Sequence, residues 1–264
     1  MSDDPLAAHD VSLVRAANPG PLSLSGTNTW IVGHDPCWIV DPGPSLPEHV
    51  EAVLARAAER GGAAGVALTH DHPDHSDNAV EVAARAGGVP LVAARYPGAT
   101  RHIGDGERLG PLEAIALPGH APDHVCFAAG DACLTGDAVL GEGSVFVAPD
   151  PGALRSYLAG LQRLRARGFA ILLPGHGPPV LDPDAKLAGY VAHRLERERA
   201  LVATLDAGVR DVDGLLDAVW ADTPDGLRPL AAVTLAAHLD KLEEEGRLPT
   251  GVQRPPWPIT LGRR

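Results

Sequence analysis

Cysteine, aromatic residues and basic charge are all scarce in this chain of 264 residues. There are 3 cysteines, Cys37, Cys126 and Cys133, and none forms a CxxC pair. That argues against a disulfide framework and against a cysteine zinc site, and it leaves small buried thiols on strands. Aromatics make up 4% of the chain, which offers no obvious platform for stacking bases. Lys and Arg number 22 against 34 Asp and Glu, a formal net charge of −12. Such a chain is a poor general binder of phosphate backbones, although a local basic groove is compatible with that balance. No apolar run approaches the ~20 residues of a membrane span. The start, "MSDDPLAAHD", has neither the basic nor the apolar region of a secretory signal. The expectation is a cytoplasmic, reducing setting with no membrane partner.

What is present suffices for one large α/β domain, or one domain with a small appendage: 45% of the residues are apolar. Strand-like runs fall at 11–16, 29–32, 37–40, 66–68, 90–93, 113–117, 124–128, 132–135 and 170–173. Helix-like runs fall at 46–60, 77–87 and 152–167. Early strands close together and later strands alternating with helices imply layered sheets with helices outside. There is no internal repeat and no low-complexity segment.

The character changes after residue 180. A charged helical pattern over 185–207 is followed by "VDGLLDAVW" and by "LRPLAAVTLAAHLDKLEEEGRL", which Gly246 terminates. The tail "PTGVQRPPWPITLGRR" has two short extended pieces. Three helices and a hairpin outline a winged helix. We therefore divide the chain into residues 1–184 and a linking helix plus winged-helix-like domain, 185–264. Arg194, Arg197 and Arg199 share their helix with Glu196 and Glu198, which reads as a solvated, self-paired face. Residues 193–264 hold 10 Lys and Arg against 12 Asp and Glu, and the rest of the chain holds 12 against 22, so neither part is basic. Glu243, Glu244 and Glu245 after Lys241 would repel phosphate. This points to a packing domain that walls the site rather than a nucleic-acid dock. Trp257 reads as core or packing, with a place in that wall as the other reading.

The densest signal is "THDHPDHSDN", residues 69–78. It lies between a buried-strand pattern, Val66–Leu68, and a helical one, so it occupies a strand-to-helix loop, where chemistry is usually carried. Alternation off an extended segment lets His70 and His72 face one cation. Asp74 and His75 follow at the turn and can face a second. Three further segments place a polar residue directly after an apolar strand: His120 in "LPGHAPDH", Asp137 in "LTGDAVL" and His176 in "LLPGHGPP". Asp41 in "WIVDPG" ends a strand in the same manner. Loops at one edge of the sheets can bring all of these together.

Together these residues resemble the metallo-β-lactamase superfamily, over most of residues 11–180. The resemblance implies an α+β four-layer αββα sandwich with metals at one edge. It implies that His70, His72 and His120 hold one metal, that Asp74, His75 and His176 hold another, and that Asp137 bridges them. Asp41 would order the site through hydrogen bonds. Two metals ~3.5–4 Å apart can share a hydroxide whose parent water has a pKa lowered toward ~7. That hydroxide would attack the carbonyl, and Asp74 would accept a proton. Oxygen and nitrogen donors favour two divalent zinc ions and also accept iron or manganese.

Within the superfamily, the bridging position is Asp137 rather than the cysteine of the best-known zinc β-lactamases. His72 stands where flavin-linked di-iron relatives carry glutamate. The segment between Asp137 and His176 is too short for the inserted cap of the large nucleases. "GTNTWIVG", "GDAVLGEGSV", "PGHGPPV" and "HLDKLEEEGRL" resemble the lactamase-beta-like protein 2 group, which joins this fold to a C-terminal winged helix. Its animal member is an endoribonuclease on single-stranded RNA, its fungal relatives are thioesterases on polyketide acyl carriers, and glyoxalase II is a more distant thioester-cleaving cousin. Many relatives carry Ser-Gly-Gly where this chain has Ser76-Asp77-Asn78; Asp77 reads as a helix N-cap. The expected function is a dinuclear metal-dependent hydrolase acting on an ester or thioester of a small or carrier-bound acyl substrate. The alternatives are an endoribonuclease on single-stranded RNA and a non-catalytic metal- or nucleic-acid-binding regulator.

Overall fold

The computed structural model describes residues 6–256. The first sheet starts with an antiparallel meander of β1 (Val11–Arg15), β2 (Asn28–Val32) and β3 (Cys37–Val40). Helix α1 (Pro47–Glu59) then leads to β4 (Ala63–Ala67), parallel to β3. A single turn, α2 (Pro73–Ser76), and α3 (Ala79–Arg85) lead to β5 (Leu91–Ala93), and β6 (Arg101–His102) closes the sheet. The second sheet is a meander of β7 (Arg108–Leu109), β8 (Leu112–Ala116), β9 (Val125–Ala129) and β10 (Ala132–Gly136). Helix α4 (Ala153–Ala166) crosses over to β11 (Ile171–Pro174), which lies parallel to β10.

Strand alternation sorts the side chains into layers. Trp30 and Val32 point between the sheets, where Trp38 and Val40 meet Leu112, Phe127, Leu134 and Ile171. Ile31, between them in sequence, faces outward to Val50 and Val53 of α1 and Val82 of α3. On the second sheet Cys126 and Cys133 face outward, toward Tyr157 and Leu161 of α4. Burial on both faces explains why these strands read as continuous apolar runs. The architecture is the expected αββα sandwich. β6 and β7 have two residues each and gave no period to read. All three cysteines are free and buried, as expected.

Three helices follow: α5 (Pro183–Asp206), α6 (Val212–Val219) and α7 (Arg228–Glu244). Asp182 and Asp211 cap α5 and α6 by accepting from Ala185 N and Gly214 N. Gly246, at φ +67°, ends α7 with the paired bonds Gly246 N to Glu243 O and Arg247 N to Leu242 O. Leu201 and Leu205 of α5 pack with Leu216 of α6 and with Leu235, Leu239 and Leu242 of α7 in a core of their own. The tail to residue 256 forms no strand; the rest of the expected hairpin, and Trp257, lie outside the described residues. Among the described residues no helix is long and apolar enough to cross a membrane.

Two expectations are corrected. Asp77 is not an N-cap: α2 already starts at Pro73, and Asp77 follows its last residue as an exposed C-cap whose N–H bonds to Pro73 O. The arginine face of α5 is only in part solvated: Glu196 and Arg199 are exposed. Arg194 and Glu198 are 2% and 8% exposed, and Arg197 pairs with Asp222 rather than with the glutamates of its helix, donating also to His193 Nε2.

His238 of α7 is 1% exposed, beside the Trp220 ring, with no hydrogen-bond partner on either nitrogen. Burial pushes its pKa down to about 3, and Arg194, Lys241, His193 and Arg197 add to the effect. The folded state thus keeps this ring neutral while the unfolded chain protonates near its ordinary value of ~6.5. The stability is complete above ~6.5 and is lost as pH falls toward about 3, by at most ~1.4 kcal/mol per pH unit for one proton. Thermal melts of a His238→Leu variant should fall less steeply than the parent between pH 6.5 and pH 4. Parallel slopes would contradict this assignment.

Candidate metal centre

Every residue singled out after a strand lies at one edge of the sandwich. Asp41 follows β3, His70 follows β4, and His72, Asp74 and His75 lie at and within α2. His120 follows β8, Asp137 directly follows β10, and His176 follows β11. Pro73 sits at the first position of α2, where its missing N–H costs nothing. The turn it starts directs Asp74 and His75 to the site behind His70 and His72. Glycines permit the close approach. A Cβ on Gly175 would stand 2.5 Å from Asp137 Oδ1 and 2.7 Å from the His75 ring.

The side chains form two groups. In one, Nε2 of His70 and Nε2 of His120 each lie 3.0 Å from Nδ1 of His72. In the other, His176 Nε2 is 3.1 Å from Asp74 Oδ2 and 3.3 Å from His75 Nε2. Asp137 stands between them: its Oδ1 is 3.5 Å from His75 Nε2, and its Oδ2 is 3.3 Å from His176 Nε2 and 3.7 Å from His120 Nε2. His70, His72 and His120 converge closely enough to hold one ion, as do Asp74, His75 and His176; His70, His75 and Asp137 connect the two groups.

The outward nitrogens explain the orientation of the rings. His75 Nδ1 is 3.0 Å from Asp41 Oδ2, and Thr69 donates to the same oxygen from Oγ1 at 2.7 Å. Thr69 Oγ1 in turn lies 3.0 Å from His70 Nδ1, so this hydroxyl accepts from that ring. His120 Nδ1 faces Phe146 O at 3.3 Å and His176 Nδ1 faces Gly26 O at 3.4 Å. Donation through these atoms orients the rings and leaves each Nε2 aimed inward, the orientation that metal-ligating histidines adopt.

These residues fit a cation. With both Nε2 atoms as lone pairs, the single proton on His72 Nδ1 can satisfy His70 or His120, not both. Asp137 Oδ1 is buried with no hydrogen-bond partner. The protonation balance differs between the groups. Burial lowers His120 to about 3 and lowers His70 and His72, so these imidazoles are neutral. Burial also opposes charge on His176, but bonds to Asp137 and Asp74 prevail and raise it to about 9. Burial would raise Asp137; His75 and His176 overcome it and hold that carboxyl well below the usual range.

The residue list from sequence was incomplete. His124, 1% exposed, accepts from the Asp137 N–H through Nε2 at 3.2 Å. Its signal was the second histidine of "LPGHAPDH". Thr69, the first residue of the cluster segment, links Asp41 to His70. Phe146 packs its ring 4.5 Å from that of His120 and had no sequence signal.

The site opens into a cavity of about 720 Å³ between the sandwich and the C-terminal helices. His72, Asp74, His120, Asp137 and His176 line its floor. Leu22, Leu24, Phe146, Trp220, Leu227 and Leu230 supply much of its wall.

Two family models match the chain: the Metallo-beta-lactamase superfamily over residues 83–176 and the Beta-lactamase associated winged helix domain over residues 212–249. The chain is 31% identical to the atrochrysone carboxyl ACP thioesterase nsrC of Aspergillus novofumigatus, over 88% of this chain and 78% of that one. It is 30% identical to the beta-lactamase-like protein 2 homolog of Caenorhabditis elegans, over 89% and 85% respectively. The metallo-beta-lactamase family protein TTHA1429 from Thermus thermophilus superposes with a TM-score of 0.72 at 25% identity, covering 90% of this chain and 94% of that one. TTHA1623, solved in a di-iron-bound form, superposes with a TM-score of 0.52 at 27% identity, covering 64% and 94%. The chain belongs to the metallo-β-lactamase superfamily and is a metal-dependent hydrolase whose sandwich is followed by a winged-helix domain.

Proposed function

We propose that the protein is a dinuclear hydrolase of acyl thioesters, the acyl group being borne by a small thiol or a carrier. The observation that carries this reading is the cavity: two donor groups with Asp137 between them lie at its floor, and a largely apolar wall rises from it. His70, His72 and His120 would hold one ion and Asp74, His75 and His176 the second, with Asp137 available to either. Zinc suits these donors, as do iron and manganese. Two such ions would supply Lewis acidity, acidifying a water toward ~7 and polarising a carbonyl.

The chain's own residues do the rest. The apolar walls hold the acyl body and exclude water, leaving its carbonyl at the floor. Asp74, with its side chain 35% exposed to the cavity, accepts the proton that the attacking water loses and returns it to the departing thiolate. A C–O bond forms, the C–S bond breaks, and an acid and a thiol leave. The thioesterase name of a relative supports this substrate class. Charge supports it over RNA: of the two arginines in the lining, Arg197 is paired with Asp222 and Arg194 donates to Val145 O, while Asp74, Asp137 and Glu142 make the lining acidic. We place the boundary between hydrolase and helical domain at residue 184.

Acyl thioesters and end-labelled single-stranded RNA, offered side by side to the metal-loaded protein and to its His72→Ala variant, test this reading. Thioester cleavage lost in the variant is expected. RNA cleavage lost in the variant, with thioesters untouched, would overturn it. Replacing the shared carboxylate, Asp137→Ala, should reduce hydrolysis to background while the circular dichroism spectrum is kept; full turnover in the metal-loaded variant would refute the bridging role. Asp41→Asn removes one acceptor behind both His75 and Thr69, and metal affinity should fall ~10- to 100-fold. Equilibrium dialysis reads this, and an unchanged affinity would remove Asp41 from the account.

A further inference from the structure

Residues 137–148 leave β10 with no helix or strand of their own, yet much of this loop is buried. Its backbone groups must therefore find partners elsewhere. Three side chains of α5 provide them at regular intervals. Lys186 Nζ donates to Gly141 O at 2.9 Å. Tyr190 Oη donates to Gly143 O at 3.1 Å and accepts from Leu140 N at 3.1 Å. Arg194 donates to Val145 O and, at 3.3 Å, to Ser144 Oγ. The donors are four residues apart on the helix and their acceptors two apart on the loop. The loop bends at residues 141–143, with Gly143 at φ +68°, and so keeps its carbonyls against the helix face. Tyr190 spans the bend by bonding on both sides of it, at Leu140 and Gly143.

The loop joins two parts of the site. Asp137 begins it. Phe146, next to the last rung, accepts from His120 Nδ1 at 3.3 Å and packs on the His120 ring. Arg194 is 2% exposed, and among the described residues no carboxylate lies within ion-pair distance of it. Its guanidinium lies 5.7 Å from the Tyr157 ring centroid. A buried cation without a counter-ion persists only where hydrogen bonds replace its water; here Nη2 donates to two loop oxygens, while Nε is buried without a partner.

We propose that this face of α5 is a template that positions the metal centre: Lys186, Tyr190 and Arg194 hold the 137–148 loop so that Phe146 fixes the tautomer and tilt of His120. They are positioning residues and touch no reacting atom. The proposal rests on the reading of His70, His72 and His120 as a metal site and adds that the C-terminal helices tune it.

Co²⁺ alone is the probe, titrated into the metal-free full-length protein and followed by its visible ligand-field absorption. Tyr190→Phe removes one oxygen and leaves Leu140 N–H and Gly143 O unpaired. It should weaken Co²⁺ binding about 10-fold, within the ~10- to 100-fold range of ligand-supporting residues, and shift the absorption band. Arg194→Met should do more, and Arg194→Lys, which keeps a donor for Val145 O, should recover part of the loss. If Arg194→Met does not fold, Lys186→Met at the half-buried first rung makes the same test. Leu216→Ala, in the separate C-terminal core, is the control: it lowers Tm and leaves the band and affinity unchanged. Parental Co²⁺ binding and spectrum in Tyr190→Phe and Lys186→Met would overturn the proposal. So would losses equal to those of Leu216→Ala at matched Tm. A parent protein that fails to bind Co²⁺ would sink the metal-site reading itself, and the template with it.

Discussion

The carboxylate of Asp41 connects the strands to the histidines. It is 1% exposed and lies on a backbone at φ +53°, a conformation that side chains other than glycine rarely adopt. A charge this buried persists because three donors meet it: Thr69 N at 2.8 Å, Thr69 Oγ1 at 2.7 Å and His75 Nδ1 at 3.0 Å. Through Thr69 it orients His70, and directly it orients His75. One carboxylate at the end of β3 thus sets a ring in each donor group.

Asp137 imposes a second constraint from the other sheet. Its N–H is taken by His124, its carboxylate stands between the two groups, and Gly175 lets β11 approach it. The loop that it begins runs beneath the C-terminal helices, which complete the apolar wall of the cavity. The C-terminal helices therefore join the hydrolase through packing and through side-chain hydrogen bonds to loop backbone. The acidic balance of the C-terminal segment agrees with that use.

Much of this arrangement was legible in the sequence. Strands buried on both faces leave continuous apolar runs, so β2, β3, β9, β10 and β11 were recognisable, and the residue that follows such a run is placed at a sheet edge. The histidine cluster was legible because so many donors in one short loop have no structural use. Other features depend on distant partners and leave no local pattern. β6 and β7 exist only through pairing. Asp77 has the chemistry of a cap, yet Pro73 begins the helical turn earlier. Arg194 sits in a charged stretch and reads as solvated, while the loop carbonyls that bury it lie about fifty residues earlier in the chain. His124 was hidden by its neighbour, since a support histidine and a ligand histidine look alike until the strands are paired.

The central claim is that two ions share Asp137. Anomalous diffraction from crystals grown with zinc, collected on both sides of the zinc edge, tests it most directly. The account predicts two peaks, one among His70, His72 and His120 and the other among Asp74, His75 and His176, with the Asp137 carboxylate in contact with both. A single peak at saturating zinc, or an Asp137 that touches only one ion, would contradict it.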